Sequence, residues 1–141
     1  MTKLYFAYGS NLNHSQMQKR CKDSKYIKKI FLKGFKLSFC SVRRSHGVAN
    51  VVKKKDSKVP GGLWKISKSD ERALDIYEGF PTLYTKDYFR LNNEKIMFYI
   101  IKRKYSFKSP QRLYLDTIRK GYKDCDLDLE YLKKRLSYYV L

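Results

Sequence analysis

Glu78 is the residue of this chain whose neighbours best suit acid–base chemistry. It ends a helix-like segment just before Gly79, in a chain with only 13 acidic residues against 32 basic ones. The C-terminal end of a helix carries partial negative charge, and apolar neighbours such as Phe80 remove water from a carboxylate. Both effects raise the pKa of a carboxyl group toward the range of a general base. An exposed glutamate without a role fits the same spacing, and this alternative stays open.

A second candidate for chemistry is the loop Gly9-Ser10-Asn11. An apolar, aromatic run over residues 4–8 predicts a strand, which these small and turn-forming residues end. A helix is predicted after the loop, with Ser15 and Gln18 at capping-box spacing. Backbone N–H groups beside a helix start favour an anionic ligand group, and glycine lets a ligand approach closely. An ordinary turn after a strand is the other interpretation.

Histidine and cysteine form no further catalytic or metal-binding pattern in the sequence. His14 and His46 are the only histidines, and Cys21, Cys40 and Cys125 are widely spaced without a Cys-x-x-Cys pair. We therefore expect three reduced thiols, no disulfide framework and no metal site. Both histidines are expected to have surface roles, and a contact of His14 with a ligand at the first loop is the alternative for that residue. No serine lies in a nucleophile elbow.

Short strands are the elements that must position these residues. Besides the first strand, they are predicted at residues 25–31, 35–40, 48–52, 59–66, 83–91 and 95–103, with Gly34 and Asp56-Ser57-Lys58 as turns. Their close spacing and hairpin-like connections indicate six or seven strands in one sheet. The expected architecture is an α+β fold with a small, mixed, mostly antiparallel sheet or barrel flanked by helices.

Helices are predicted from caps and stop signals. Ser67 and Asp70 have the spacing of a helix cap, and Gly79 ends that helix at Glu78. Ser109 and Pro110 read as the cap and first residue of a later helix that carries Tyr114 and ends at Gly121. A final helix is expected from about residue 128.

Length and hydropathy indicate one domain that spans residues 1–141. The N-terminal residues are predicted to begin a strand at once and show no small-residue cleavage site, so we expect no signal peptide. Its longest apolar run, at residues 96–101, is far shorter than the roughly 20 residues of a membrane span. We therefore expect a cytoplasmic protein that does not cross a membrane.

The net charge of +19 points to polyanions as partners. Many tyrosine and phenylalanine side chains are interleaved with the lysines and are suited to stack on nucleic-acid bases. The tight basic clusters are Arg43-Arg44 and Lys53-Lys54-Lys55, and the other basic residues are spread along the chain. An AT-rich coding sequence explains the lysine surplus as well. A non-enzymatic binding module for a polyanion such as nucleic acid is therefore one functional hypothesis.

Two motifs resemble the signatures of the gamma-glutamylcyclotransferase-like family, which includes the AIG2-like proteins. The first is the N-terminal run Tyr5-Phe6-Ala7-Tyr8-Gly9-Ser10-Asn11-Leu12. The second comprises Asp75, Glu78, Gly79, Pro81 and Tyr84. The family often has arginine two residues after that tyrosine, where this chain has Lys86. The resemblance extends through the predicted strand before Ser67 to both C-terminal helices, and so covers nearly the whole chain.

The resemblance implies the second hypothesis, an enzyme that converts a gamma-glutamyl amide or dipeptide to 5-oxoproline and a free amine or amino acid. Glu78 is then the catalytic acid and base, and no metal or cofactor is needed. The resemblance also implies a substrate-binding set, which consists of Tyr5, Phe6, Ala7, Tyr8, Gly9, Ser10, Asn11, Leu12, Tyr84 and Tyr114. A monomer or a homodimer is expected, and the Tyr138-Tyr139-Val140-Leu141 end is suited to dock on a neighbour or on its own body.

Overall fold

Five strands form one sheet in the computed structural model, which describes residues 1–42 and 46–137. They are β1 (Thr2–Ala7), β2 (Lys25–Cys40), β3 (Val48–Ser67), β4 (Thr85–Leu91) and β5 (Glu94–Ile100). The spatial order is β2-β3-β1-β5-β4, and only the pairing of β1 with β5 is parallel. The Arg43-Arg44 cluster and the Tyr138–Leu141 end, for which roles were predicted, lie outside the described residues.

Helices accompany this sheet, so the prediction of an α+β fold with a mostly antiparallel sheet flanked by helices is confirmed. They are α1 (His14–Arg20), α2 (Lys68–Glu78), α3 (Arg112–Asp124) and α4 (Leu129–Ser137), with a short 3-10 helix at Ser10–Leu12. Within the described residues, no helix is both long enough and apolar enough to span a bilayer.

Two predicted pairs of strands are each one long strand. Residues 25–31 and 35–40 merge into β2, because Gly34 adopts a φ of +83° inside a bulge rather than in a hairpin turn. Residues 48–52 and 59–66 merge into β3, where Asp56 has a φ of +63°. Lys33 pairs with Lys58 and Phe35 with Lys53, so the extra residues of β3 bulge out without ending the strand. The sheet therefore has fewer and longer strands than predicted.

The sheet curls strongly but stays open, with β2 and β4 at its edges. Phe35 of β2 and Phe89 of β4 both pack edge to face on Phe98 of β5, each with ring centroids 5.9 Å apart. Phe98 is fully buried. These aromatic contacts bring both edge strands against a common core. The sheet is therefore curled and open, where the sequence predicted a small sheet or barrel.

The ends of α2 follow local sequence rules, which matters because this helix carries Glu78. The Ser67 side chain accepts a hydrogen bond from the backbone of Asp70, and the Asp70 side chain accepts one from the backbone of Ser67. Gly79 follows the helix with a φ of +65°, in the left-handed region that glycine adopts most easily. The predicted cap and stop are both confirmed, and together they set where the helix presents Glu78.

The predicted N-terminal caps of α1 and α3 are each wrong by two residues, although α1 does begin at His14. Asn13, not Ser15, caps α1 by accepting a hydrogen bond from the backbone of Gln16. Helix α3 begins after Gln111 and runs past Gly121 to Asp124. A Cβ at Gly121 would lie 2.6 Å from the Cβ of Leu12. This glycine therefore allows the helix to approach the N-terminal loop closely, and does not end it.

Candidate active site

A cavity of about 210 Å³ brings together residues from both predicted motifs. Its walls come from β1 and the loop after it, from the start of β3, from the end of α2 and the loop after it, and from β5 and α3. The lining residues are Tyr5, Tyr8, Gly9, Ser10, Asn11, His46, Val48, Ala49, Tyr77, Glu78, Leu83, Tyr84, Tyr99 and Tyr114. Glu78 is the only acidic residue among them.

The Glu78 carboxyl is the group in this cavity that is best suited to exchange protons. Burial raises its pKa to about 7, and the positive charge of Arg20 opposes this rise. Within the described part of the chain, no group donates a hydrogen bond to it. A carboxyl group with this pKa is present in both protonation states near neutral pH, so it is able to accept a proton and return it.

The loop after β1 offers backbone donors to the same cavity. In the 3-10 turn, the N–H groups of Leu12 and Asn13 donate back to the carbonyl oxygens of Gly9 and Ser10. The N–H groups of Ser10 and Asn11 precede this ladder, and neither has a partner among the described residues. Both residues line the cavity. Adjacent unpaired N–H groups favour a carboxylate or a developing oxyanion.

Tyrosine hydroxyls surround the cavity, and their hydrogen bonds differ in direction. Tyr84 donates to the carbonyl oxygen of Ala49 at 2.6 Å, and Tyr8 donates to that of Tyr99 at 2.7 Å. Tyr114 instead accepts from the N–H of Ala49 at 3.0 Å. Burial raises the pKa of Tyr114, so it stays protonated near neutral pH. Tyr114 therefore keeps a hydrogen that is able to bond to a ligand.

A charged network supports the cavity wall at Tyr99. The Tyr99 hydroxyl donates to Asp75 at 2.6 Å. Lys86 lies 2.9 Å from Asp75 and 2.6 Å from Glu71, and Lys3 lies 3.0 Å from Glu71. Burial raises the pKa of Glu71, but its ion pairs with Lys86 and Lys3 lower it more. Asp75, a residue of the second motif, therefore lies behind the cavity and holds Tyr99 in place.

Three residues of the predicted substrate-binding set are not among the described residues that line the cavity. Phe6 is fully buried and packs edge to face on Phe89, and Ala7 and Leu12 are buried as well. Leu12 contacts the α3 helix at Gly121. Their side chains build the core that supports the loop, and their roles in substrate binding stay predictions.

Other lining residues were missed by sequence reasoning. Tyr99, Ala49 and Tyr77 reach the cavity through strand pairing or helix packing, which no local pattern predicts. His46, expected to have a surface role, is half-buried and lines the cavity. His14 is half-buried too, with its ring centroid 4.6 Å from that of Tyr26, so it was also placed wrongly at the surface.

Arg20 is the most important residue that sequence reasoning missed. Its guanidinium group donates to the Asn11 side-chain oxygen at 2.5 Å and lies 3.2 Å from the centre of the Tyr77 ring. The only sequence signal was its position at the end of the helix that follows the loop.

Among the described residues, no group of three His, Cys, Asp or Glu side chains is placed to hold a metal ion.

Comparison with known proteins finds relatives over most of the chain. A family model described as "Gamma-glutamyl cyclotransferase, AIG2-like" matches residues 5–121. A human protein named gamma-glutamylcyclotransferase is 29% identical over 142 residues, which cover 93% of this chain and 76% of that protein. Its bovine counterpart is 30% identical over 143 residues, with 93% and 76% covered. A solved structure named gamma-glutamyl cyclotransferase has a TM-score of 0.82 at 26% identity and covers 96% of this chain and 86% of that one.

Proposed function

Because the chain belongs to the gamma-glutamyl cyclotransferase, AIG2-like family, we propose that it is an enzyme that cyclises a gamma-glutamyl amide or dipeptide to 5-oxoproline. The observation that carries this proposal is the Glu78 carboxyl, with a pKa of about 7, in a cavity that the N-terminal loop also lines. Relatives named gamma-glutamylcyclotransferase support the reaction class. The roles given to individual residues below are part of the proposal.

The reaction removes two protons from the α-nitrogen of the substrate and supplies a proton to its leaving nitrogen. Ionised Glu78 takes a proton from the substrate's α-ammonium group, and the freed amine attacks the γ-carbonyl carbon. A ring C–N bond forms, and Glu78 gives the proton it has taken to the leaving nitrogen as the C–N bond to the leaving amine breaks. The ring nitrogen still carries two hydrogens after the attack, and it loses the second to the re-ionised Glu78 carboxylate or to water, which leaves the neutral lactam N–H of 5-oxoproline. Because the pKa of Glu78 is raised to about 7, its carboxylate is a stronger base than that of an ordinary glutamate, and the proton transfer from the α-ammonium group is less unfavourable.

The loop N–H groups would bind the negatively charged groups of the substrate. The unpaired N–H groups of Ser10 and Asn11 are suited to bind the α-carboxylate or the oxyanion that develops on the γ-carbonyl oxygen. Tyr114 has a hydrogen left to donate to the same region. The cavity of about 210 Å³ would hold the substrate folded, so that its amine and carbonyl meet.

The first experiment incubates purified protein with a panel of gamma-glutamyl dipeptides and gamma-glutamyl amines and measures 5-oxoproline. Wild type is expected to release product, and the preferred leaving group names the substrate. Glu78→Gln keeps the shape of the side chain but loses the exchangeable proton, so its rate should fall by about 100-fold or more. Normal turnover by this variant, with its fold intact by circular dichroism, would contradict the assignment of Glu78.

A second candidate function rests on the distribution of lysine. Strands β2 and β3 hold ten lysines and one acidic residue, Asp56, a surplus of nine within a net charge of +19. The strand register adds Lys33 to the cluster formed by Lys53, Lys54, Lys55 and Lys58. This concentrated charge supports weak binding of a polyanion such as single-stranded nucleic acid.

The second function is tested by measuring the binding constant of a labelled oligothymidylate for the protein at several salt concentrations. If these five lysines contact phosphates of the single strand, the logarithm of the binding constant falls with the logarithm of salt concentration with a slope of about −3.5. Replacing Lys53, Lys54 and Lys55 by glutamine should flatten that slope by about 2 and leave 5-oxoproline release unchanged. A control triple variant, Lys19→Gln, Lys22→Gln and Lys68→Gln, removes the same charge elsewhere and should keep the slope. Equal effects of both variants, or no binding at low salt, would contradict a local site.

A further inference from the structure

Arg20 connects the two parts of the cavity that come from different motifs. Its Nη1 atom donates to the Asn11 Oδ1 atom at 2.5 Å and to the Ser10 Oγ atom at 3.3 Å. On the other side, its guanidinium carbon lies 3.2 Å from the ring centre of Tyr77, the residue before Glu78. Arg20 is the last residue of α1, and it is not among the described residues that line the cavity.

We propose that Arg20 is a positioning residue that clamps the N-terminal loop to the end of α2 and orients the Asn11 amide so that Tyr5 presents its hydroxyl hydrogen to the substrate. This inference rests on the proposed cyclotransferase function. It adds a residue outside both motifs to that mechanism, because Arg20 contacts both the loop and the residue before Glu78.

The orientation of the Asn11 amide follows from hydrogen-bond chemistry. A guanidinium group only donates hydrogen bonds, so the amide oxygen of Asn11 must face Arg20. The amide nitrogen then faces Tyr5 and donates to its hydroxyl oxygen at 3.0 Å. The Tyr5 oxygen is thereby an acceptor in that bond, and its own hydrogen is left for another partner. Because Tyr5 lines the cavity, a substrate oxygen is the partner available there.

The charge of Arg20 adds an electrostatic role to this geometric one. Burial raises the pKa of Glu78, and Arg20 is the charged side chain that opposes the rise. The neighbouring tyrosines are neutral near pH 7, because burial raises the pKa of each one. Among the described residues, the titratable and charged groups around the cavity that holds Glu78 are Tyr5 from β1, Tyr8 just after it, Arg20 from α1, His46 before β3, Tyr84 before β4, Tyr99 from β5 and Tyr114 from α3.

Substitution by lysine separates the geometric role of Arg20 from its electrostatic role, because lysine shares the charge of arginine but not its shape. A lysine keeps the positive charge, but it has no planar group to stack on Tyr77 and no rigid planar nitrogen that points two fixed N–H bonds at Ser10 and Asn11. Arg20→Lys should therefore preserve the pH dependence and lose the geometry. Arg20→Met should lose both.

The experiment measures KM, kcat and the pH dependence of kcat/KM for wild type, Arg20→Lys and Arg20→Met. Arg72→Met, at an exposed arginine of α2, is the matched control. We expect KM to rise by about 10-fold in Arg20→Lys with an unchanged pH profile, because the fixed bonds to the loop are lost. In Arg20→Met, the rise in KM should be accompanied by a shift of the pH profile to higher pH. The Arg72 control should match wild type.

A direct readout keeps this inference separable from the proposed function. Carbon-13 NMR of the Glu78 carboxyl, with nitrogen-15 NMR of the Asn11 side-chain amide, requires no turnover. In Arg20→Met, the Glu78 titration should move to higher pH and the Asn11 amide signal should shift. If wild type releases no 5-oxoproline but both signals change, the reaction assignment fails and the clamp stands. If KM, the titration and the amide signal are unchanged in folded variants, the clamp is wrong. If Arg20→Met does not fold, Arg20→Lys decides through KM alone.

Discussion

The backbone N–H of Ala49 donates a hydrogen bond of 3.0 Å to the hydroxyl oxygen of Tyr114. The carbonyl oxygen of the same residue accepts a bond of 2.6 Å from Tyr84. One residue of β3 therefore gives the two tyrosines opposite hydrogen-bonding states. Tyr84 has already donated its only hydrogen, whereas Tyr114 still has one to donate to a ligand in the cavity.

This difference predicts different results for two matched substitutions. Tyr114→Phe should lower kcat/KM by roughly 10-fold or more, because a donor to the substrate is lost. Tyr84→Phe should leave kcat/KM within about threefold of wild type and lower the free energy of unfolding by about 1–3 kcal/mol, because a buried carbonyl loses its partner. Steady-state kinetics and urea unfolding of both variants test this. A similar loss of activity in the two variants would contradict the assignment of the donor role to Tyr114.

The activity should depend on the ionisation of Glu78. The carboxylate is the form that accepts the α-ammonium proton, so kcat/KM should rise with pH and level off above an apparent pKa of about 7. An unperturbed glutamate would give the same rise near its ordinary value of 4.5. A pH series with the preferred substrate distinguishes the two. A profile that is flat between about pH 5 and pH 8 would argue against Glu78 as the base.

The same carboxyl should also make stability depend on pH. Its pKa is higher in the folded state than in the unfolded one, so the folded protein holds the proton more tightly, and stability falls as pH rises from 4.5 to about 7. Glu78→Gln should therefore be more stable than wild type at about pH 8, by up to about 3 kcal/mol. The two proteins should be equally stable near pH 4. Urea unfolding at both pH values tests the sign, and a Gln variant less stable than wild type at high pH would contradict it.

The ion pairs of Lys86 with Glu71 and Asp75 should stabilise the fold, and a substitution of Lys86 by arginine should preserve most of this stability. Lys86 and Glu71 are each 13% exposed, and Lys86 separates Glu71 from Asp75. Lys86→Met leaves two partly buried carboxylates without their shared cation, and should cost roughly 2–3 kcal/mol in the free energy of unfolding. Lys86→Arg keeps the charge and should cost less than about 1 kcal/mol. Denaturant unfolding of both variants tests this, and an unchanged stability in Lys86→Met would show that water screens the network.

Local sequence rules predict the parts of the site that depend on neighbours in the chain. The capping box of Ser67 and Asp70 and the stop at Gly79 are set by contacts within three or four residues. These contacts suffice to place Glu78 at the end of a helix. The strand followed by a small-residue loop at Gly9 is likewise predicted locally, and it is formed by β1 and the 3-10 turn.

Local rules fail where a residue has two structural uses. Gly34 and Gly121 both carry the signal of a stop, yet one lies in a bulge within β2 and the other lies inside α3. In each case the choice depends on a distant partner: β3 continues to pair on both sides of Gly34, and Leu12 lies against Gly121. Glycine permits a turn, a bulge and a close approach equally, so its sequence context does not separate them.

The family signatures, the α+β class and the helix end that carries Glu78 all follow from the amino-acid sequence. The grouping of Arg20, Tyr99 and Ala49 with that residue, and the packing of Phe6 and Leu12 into the core, follow from the three-dimensional fold alone. The helix end is predictable from the sequence because it is set by hydrogen bonds between residues that are near neighbours in the chain. A cavity is set by the register of strands and the packing of helices from distant parts of the chain, such as the parallel pairing of β1 with β5.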